Sequence, residues 1–463
     1  MAGPAQERED GLRAPRGAAA LIAAGLVLLG LALGGTLGRW EPFYTGVYVL
    51  AWGGYILLLD GLNARRAGHS LILSRTREFL LLLPASAVVW YVFELLNVRL
   101  RNWYYIQIPV WSVPRWIGTG AAFATVLPLL FETVEWLDHR RFAAGVRWPR
   151  LAVDPGRLAA CRAVGWLSLA AVLVAPRVCF PLVWGIFLFL LEPTLYRQGG
   201  RSLLRDLEAG RPARLLQLLT AGLITGGLWE LFNHGAHSKW VYTVPWFEGA
   251  KLFEMPLLGF LGFPPFAAMC YVMYNAVCLL RSGRTWEHPG RWAIPPRSRG
   301  TARQCGLLAA CGAIVWIAGQ WSVDRVTIDS YYGVIRRHYP WIAEESWRLM
   351  AADRCLVPHQ LHRRLERDGV GAVAHRYRLP ADRAQAMADE LTMVELKGMG
   401  FDNARILRRA GVTTLAGLAL SDPDRLYRLL RDEHPRRWVP QPAKVRLWVA
   451  AAARTTATQR AQP

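Results

Sequence analysis

The sequence predicts an all-α, polytopic helical membrane protein with two parallel four-helix repeats, a ninth transmembrane helix and a soluble helical C-terminal domain. Three observations predict it. First, 53% of the 463 residues are hydrophobic and 19% charged, and the apolar residues gather in long runs that stop near Gln320. Runs of about 18 or more apolar residues match the hydrocarbon core of a bilayer. Second, arginine-dense and arginine-poor connections separate these runs. Third, two distant stretches read alike: Phe93-Glu94-Leu95-Leu96-Asn97 with Trp103-Tyr104-Tyr105, and Trp229-Glu230-Leu231-Phe232-Asn233 with Trp240-Val241-Tyr242.

The N-terminal tail, residues 1–17, carries Arg8, Arg13 and Arg16. The apolar stretch behind it is longer than a signal-peptide core and reads as an uncleaved anchor. Nine apolar runs fall at 18–38, 43–61, 79–97, 116–137, 159–176, 178–195, 215–234, 256–280 and 304–321. The duplication groups the first eight into repeats 18–137 and 159–280, joined by a basic linker at 138–158 and followed by a basic, proline-containing loop at 281–303. Four crossings per repeat make the repeats parallel and relate them by an axis along the membrane normal.

The net charge of +21 is accounted for by basic loops near 62–77, 138–157, 196–214 and 281–303. The positive-inside rule places these loops and the N-terminus in the cytoplasm. Arg99, Arg101 and Arg115 in the loop 98–115 run against the pattern. Nine crossings then place the soluble domain, 322–463, outside the cytoplasm, whereas a half-inserted ninth segment would leave it cytoplasmic. Six of the seven cysteines sit in or beside apolar runs and read as small hydrophobes, Cys355 stands alone in the polar domain, and no disulfide framework or zinc spacing is present.

Carboxylates inside apolar helices are the candidate chemistry, because a charge in a bilayer is costly and usually functional. Glu94 and Asn97, like Glu230 and Asn233, are three apart and share a helix face. Trp103, Tyr105, Trp240 and Tyr242 follow at the expected outer interface, where aromatic rings prefer to sit. Face to face across the axis, Glu94 and Glu230 suit general acid–base work on an apolar substrate. The competing reading is structural: interhelical hydrogen bonding, or contact with an arginine such as Arg99 or Arg101. Glu254, in Lys251-Leu252-Phe253-Glu254-Met255-Pro256, is expected at a helix start, where the dipole favours it, facing the same pocket. Upstream, Asp60, Arg65, Gly68, Ser70 and Leu71 match Glu192, Arg197, Gly200, Ser202 and Leu203 at identical spacing. The carboxylate and arginine of each set predict an ion pair or helix-end arrangement, or a phospholipid-headgroup site. Glu132 and Glu135, three apart, have apolar counterparts around Met273 and Ala276; they read as snorkelling groups or one half of a pathway. His234 and His237 after Glu230 do not make a convincing metal motif. No metal or cofactor is expected.

The Trp-x-Tyr before a carboxylate-bearing, proline-flanked helix faintly resembles membrane-bound carotenoid and lycopene cyclases built from repeated helical units. That family's helix starts with proline followed by paired glutamates. Here Glu254 precedes Pro256, and the first repeat has Val113-Pro114-Arg115-Trp116. The resemblance implies a lipid or isoprenoid substrate. In the soluble domain, Leu396-Lys397-Gly398-Met399-Gly400-Phe401 and the residues to Leu407, within about 391–451, resemble a helix-hairpin-helix. That resemblance implies phosphate or partner binding at Lys397, Gly398 and Gly400, through backbone N–H groups at a helix start, with Arg405, Arg408 and Arg409 alongside. With the domain outside the cytoplasm, a protein partner is expected rather than nucleic acid. Membrane lipids are the other expected partner. Function is expected to be a membrane-embedded enzyme acting on a lipid or isoprenoid through paired carboxylates. A proton- or cation-coupled transporter and a non-catalytic membrane anchor for the helix-hairpin-helix domain remain alternatives.

Overall fold

The computed structural model describes residues 15–109, 111–244, 250–281, 284–288, 301–328, 334–396, 398–433, 440 and 442–460. Most of the tail 1–17, most of the loop 281–303, and Lys397 lie outside the described residues. Among those described, nine helices are long and apolar enough to cross a membrane, at 18–38, 47–67, 76–100, 112–139, 155–174, 176–197, 213–235, 257–281 and 302–325.

The chain divides into two compact units. The first comprises residues 1–100, 117–236 and 255–322; the second comprises 101–116, 237–254 and 323–463. The segments that follow the third and seventh apolar runs thus group with the C-terminal residues and not with the helical repeats in which the sequence placed them.

The first unit opens with α1 (Ala18–Gly38), α2 (Val47–Ala67), the short α3 (Leu71–Ser74) and α4 (Thr76–Leu100). The fourth apolar run is broken into α5 (Ser112–Ala124) and α6 (Val126–His139). Pro128 has no N–H for the carbonyl four residues back, which favours a break there. Ser86 bridges it, donating to the Phe123 carbonyl at 2.7 Å and accepting from the Leu127 N–H at 2.9 Å. The second half runs α7 (Pro155–Val174), α8 (Pro176–Cys179), α9 (Ile186–Arg197), the short α10 (Leu203–Glu208), α11 (Ala213–Gly235) and α12 (Phe263–Arg281). α13 (Ala302–Arg325) carries the last apolar run. α1 packs along α2, and α7 along α9. Each pair has glycine at the closest approach: a Cβ at Gly25 would lie 2.6 Å from the Leu58 nitrogen, and one at Gly165 would lie 2.9 Å from the Leu190 nitrogen. Small residues let helix backbones meet in this way.

The second unit contains a three-stranded sheet of order β2-β1-β5, made of β1 (Trp103–Ile106), β2 (Lys239–Tyr242) and β5 (Thr327–Ile328); β3 (Lys251–Leu252) and β4 (Met255–Pro256) are further short strands in the chain. The pairing of β1 with β2 is antiparallel and sets Trp103 opposite Tyr242, Tyr104 opposite Val241 and Tyr105 opposite Trp240. The rest is helical: α14 (Ile335–His338), α15 (Glu344–Ala352), α16 (Pro358–Asp368), α17 (Val370–Arg376), α18 (Ala381–Val394), α19 (Gly400–Arg409), α20 (Leu415–Ala419), α21 (Pro423–Glu433) and α22 (Pro442–Arg460). Their apolar faces meet in one core around Met350, Leu361, Leu391, Phe401, Leu407, Leu430 and Trp448.

Candidate functional site

Glu94, Asn97, Glu230 and Asn233 are all fully buried. The i, i+3 spacing puts each Glu/Asn pair on the inward face of its helix. Glu94 accepts a hydrogen bond from Trp90 Nε1 at 2.9 Å, one turn earlier. Asn233 accepts from the Tyr48 hydroxyl at 2.7 Å. Aromatic rings fill the space around the two glutamate-bearing turns. Trp90 of α4 meets Trp229 of α11 edge to face, with centroids 6.2 Å apart. Phe266 of α12 touches Trp90, Phe93, Trp184 and Trp229 at 5.6–5.9 Å. The turns preceding the repeated glutamates are therefore brought together through their tryptophans.

The four motif aromatics have a different setting from the one expected. Trp103 and Tyr105 are buried in β1, and Trp240 and Tyr242 are half-buried in β2. They are strand residues paired across a sheet, not a belt at a helix end. β-branched and aromatic residues favour such a surface, and the alternation that produces strand pairing is too short in Trp-x-Tyr to stand out beside the long apolar runs.

Glu254 is buried, but it does not start a helix. It follows β3, after Phe253 at φ 58. The α-helix begins nine residues later at Phe263, after a 3-10 turn at Leu257–Gly262. Pro264 and Pro265, at the first positions after Phe263, have fixed φ and no N–H, which suits a helix start there. The expectation that Glu254 sits at the helix N-terminus is corrected accordingly.

Toward the C-terminal ends of α2 and α9, Asp60 and Glu192 are buried and play matching parts. Asp60 Oδ1 accepts from the Ile72 N–H at 2.7 Å, and Glu192 Oε1 accepts from the Leu204 N–H at 2.8 Å. Ser70 caps α3 by accepting from the Leu73 N–H, and Ser202 caps α10 by accepting from the Arg205 N–H. Each carboxylate thus satisfies a first-turn donor of the next short helix. Arg65 and Arg197 are exposed, and the arginines that matter are ones the sequence reading did not single out. Arg75 grips Glu135 through both carboxylate oxygens at 2.6 and 2.8 Å. Arg201 and Arg214 each reach Glu287 at 2.9 Å, and Tyr271 donates to the same carboxylate at 3.0 Å. Burial pushes Glu287 up, but Arg201 and Arg214 outweigh it and hold the carboxyl below its ordinary range. Glu132 accepts from Asn63 Nδ2 at 2.9 Å. These long-range partners, such as Glu287 with Arg201, have no spacing signal in the sequence.

In the second unit, α18 and α19 form a helical hairpin, with Gly398 and Gly400 at φ 76 and 63. Both glycines are buried. A Cβ at Gly398 would fall on the Tyr104 hydroxyl, so the turn is covered by the β1 tyrosine. The arginines alongside the turn are near acids: Arg405 and Arg408 lie 3.0 and 3.8 Å from Glu390, and Arg409 lies 3.7 Å from Glu433. Lys397 lies outside the described residues.

No curated protein and no solved structure matches the chain. Residues 359–455, from α16 into α22, match a family described as a domain of unknown function, DUF4332.

Proposed function

We propose that this chain is a membrane-embedded enzyme built by duplication of a four-helix unit, acting on a lipid or isoprenoid through Glu94 and Glu230. The carrying observation is the setting of those two groups: two fully buried carboxyls, on equivalent helices, at the edge of a cluster of tryptophan and phenylalanine rings. A carboxyl in such a place can deliver a proton to an apolar double bond. Ring faces can then stabilise the cation that forms. The resemblance to membrane carotenoid and lycopene cyclases supports the choice of a lipid or isoprenoid as the substrate.

The duplication is supported by two pieces of geometry. The Asp60–Ile72 and Glu192–Leu204 hydrogen bonds span twelve residues in each half. In the β1–β2 register, Trp103 faces the counterpart of Tyr105, and Tyr105 faces the counterpart of Trp103, as a local two-fold axis through Tyr104 and Val241 requires. We also infer that residues 322–463 lie outside the cytoplasm. The third, seventh and ninth apolar helices each lead into a strand of one sheet, which odd-numbered crossings allow.

The anchor reading rests on a separate observation: Gly398 is packed against Tyr104, which favours a compact helical module over a phosphate-binding turn, with a protein as its partner.

The test is Glu94→Gln and Glu230→Gln in the full-length protein, scored by melting temperature in detergent and by the lipid profile of the producing membrane. The enzyme reading expects both variants to fold with a wild-type melting temperature and to lose the product. A variant that unfolds, as when a buried partner is stranded at a cost of about 3–5 kcal/mol, makes the carboxylates structural. Stable variants with an unchanged lipid profile defeat the proposal.

A further inference from the structure

Beside the Arg75–Glu135 pair, three side chains converge. His69 Nδ1 lies 3.8 Å from Glu135 Oε1, and His139 Nε2 lies 3.7 Å from that same oxygen. The three donor atoms all fall within 4.8 Å of one another. We propose that His69, Glu135 and His139 bind a first-row divalent cation, such as Zn2+ or Fe2+, with a coordination position open to a cavity.

The donor set decides the class of ion. Calcium takes an all-oxygen shell, and magnesium keeps water and carboxylate oxygens. Two imidazoles with one carboxylate suit zinc or ferrous iron. Such ions hold N and O ligands at about 2.0–2.2 Å, which sets tetrahedral donor atoms roughly 3.3–3.6 Å apart. The observed 3.7 and 3.8 Å from the imidazoles to Glu135 Oε1 lie within roughly a few tenths of an ångström of that spacing, and the two imidazoles, within 4.8 Å of each other, close onto an ion by a rotation of the partly exposed His69 side chain.

The local structure presents these donors from two places. Glu135 and His139 are four apart on α6 and share one face. His69 comes from the turn between α2 and α3. Each is also steadied by a neighbour, as metal ligands usually are. Arg75 clamps the carboxylate, which still has lone pairs to give on Oε1. The His69 ring stacks on His288 with centroids 3.9 Å apart. Arg66 Nε fixes the His139 carbonyl at 2.9 Å.

A cavity of about 700 Å3 lies against both histidines, lined by Arg66, His69, Asp138, His139 and Arg141, and leaves room for a further ligand on the ion. Three protein ligands and one open position is the arrangement of catalytic zinc, not structural zinc. Arg75 offsets the charge of Glu135, so the bound ion keeps its positive charge and draws hydroxide or a small anion into that position. The site is independent of the Glu94 reading, since the rise of α4 from Arg75 to Glu94 is roughly 28 Å.

The experiment uses the full-length protein in detergent, stripped with a chelator and titrated with Co2+, then with Zn2+ in competition. The proposal expects one equivalent of Co2+ with the visible spectrum of a four- or five-coordinate site, and a melting temperature that rises with Zn2+. His139→Ala and His69→Gln should weaken binding at least tenfold while keeping the metal-free melting temperature. His359→Ala, in the second unit, should bind as the wild type does. Should His139→Ala fail to fold, the partly exposed His69→Gln carries the comparison. Absence of stoichiometric binding, or the same affinity in His69→Gln, overturns the proposal.

Discussion

Glu287 illustrates how a single residue is held at the arginine-rich end. Its carboxylate is buried between Arg201 and Arg214 and accepts from Tyr271. Its folded pKa is lowered, so its stabilising contribution is present above the unfolded carboxyl value and is lost as pH falls through the folded one. Glu287→Gln should therefore cost about 3–5 kcal/mol at neutral pH, because two buried cations lose their partner. The variant should also show a flatter loss of stability in acid, which thermal melts between neutral and acidic pH would reveal. Cys355 gives a second residue-scale test. Burial is the largest influence on its thiol, which is pushed up to about 11. It should resist alkylation at pH 8 in the folded protein and react on unfolding, as mass spectrometry of iodoacetamide adducts would show. Glu94 and Glu230 were legible in the sequence because repetition marks them. Arg201 and Arg214 were not, because nothing in local spacing distinguishes a buried arginine from the many in basic loops.

Among the elements, two close approaches control packing. In the α1–α2 pair, Gly25 faces the Leu58 backbone and Gly54 faces the Gly25 carbonyl oxygen. Gly25→Val would push the helices apart and should cost about 1–3 kcal/mol, read as a lower melting temperature in detergent. The α18–α19 hairpin depends on Gly398, which is both at positive φ and against Tyr104. Gly398→Ala should cost about 1–2 kcal/mol for the backbone alone, with a further loss from displacing the ring. Tyr104→Ala should recover part of that further loss in a double-mutant cycle. The membrane helices were readable from apolar run length. The strands were not, because a four-residue segment of aromatics at the end of a membrane run fits an interfacial belt as well as a sheet. Pairing partners more than a hundred residues away chose between the two.

For the whole molecule, the expected topology has nine crossings with residues 322–463 outside the cytoplasm. A reporter fused after Trp321 should be active only if it is an exported type. Activity of a cytoplasm-only reporter at that point would remove the ninth crossing. Sequence alone determined that the chain is largely helical with nine membrane-length apolar segments, since a span needs only length and hydropathy. It also determined which carboxylates recur, since repetition is a property of order along the chain. Only the tertiary structure decided what those groups meet: Glu94 with Trp90, Asp60 with the start of α3, Glu135 with Arg75 and two histidines, Gly398 with Tyr104. Each of these contacts depends on side-chain direction and on where a turn falls. The grouping of segments 101–116 and 237–254 with the C-terminal residues depends likewise on strand register, which no hydropathy pattern carries.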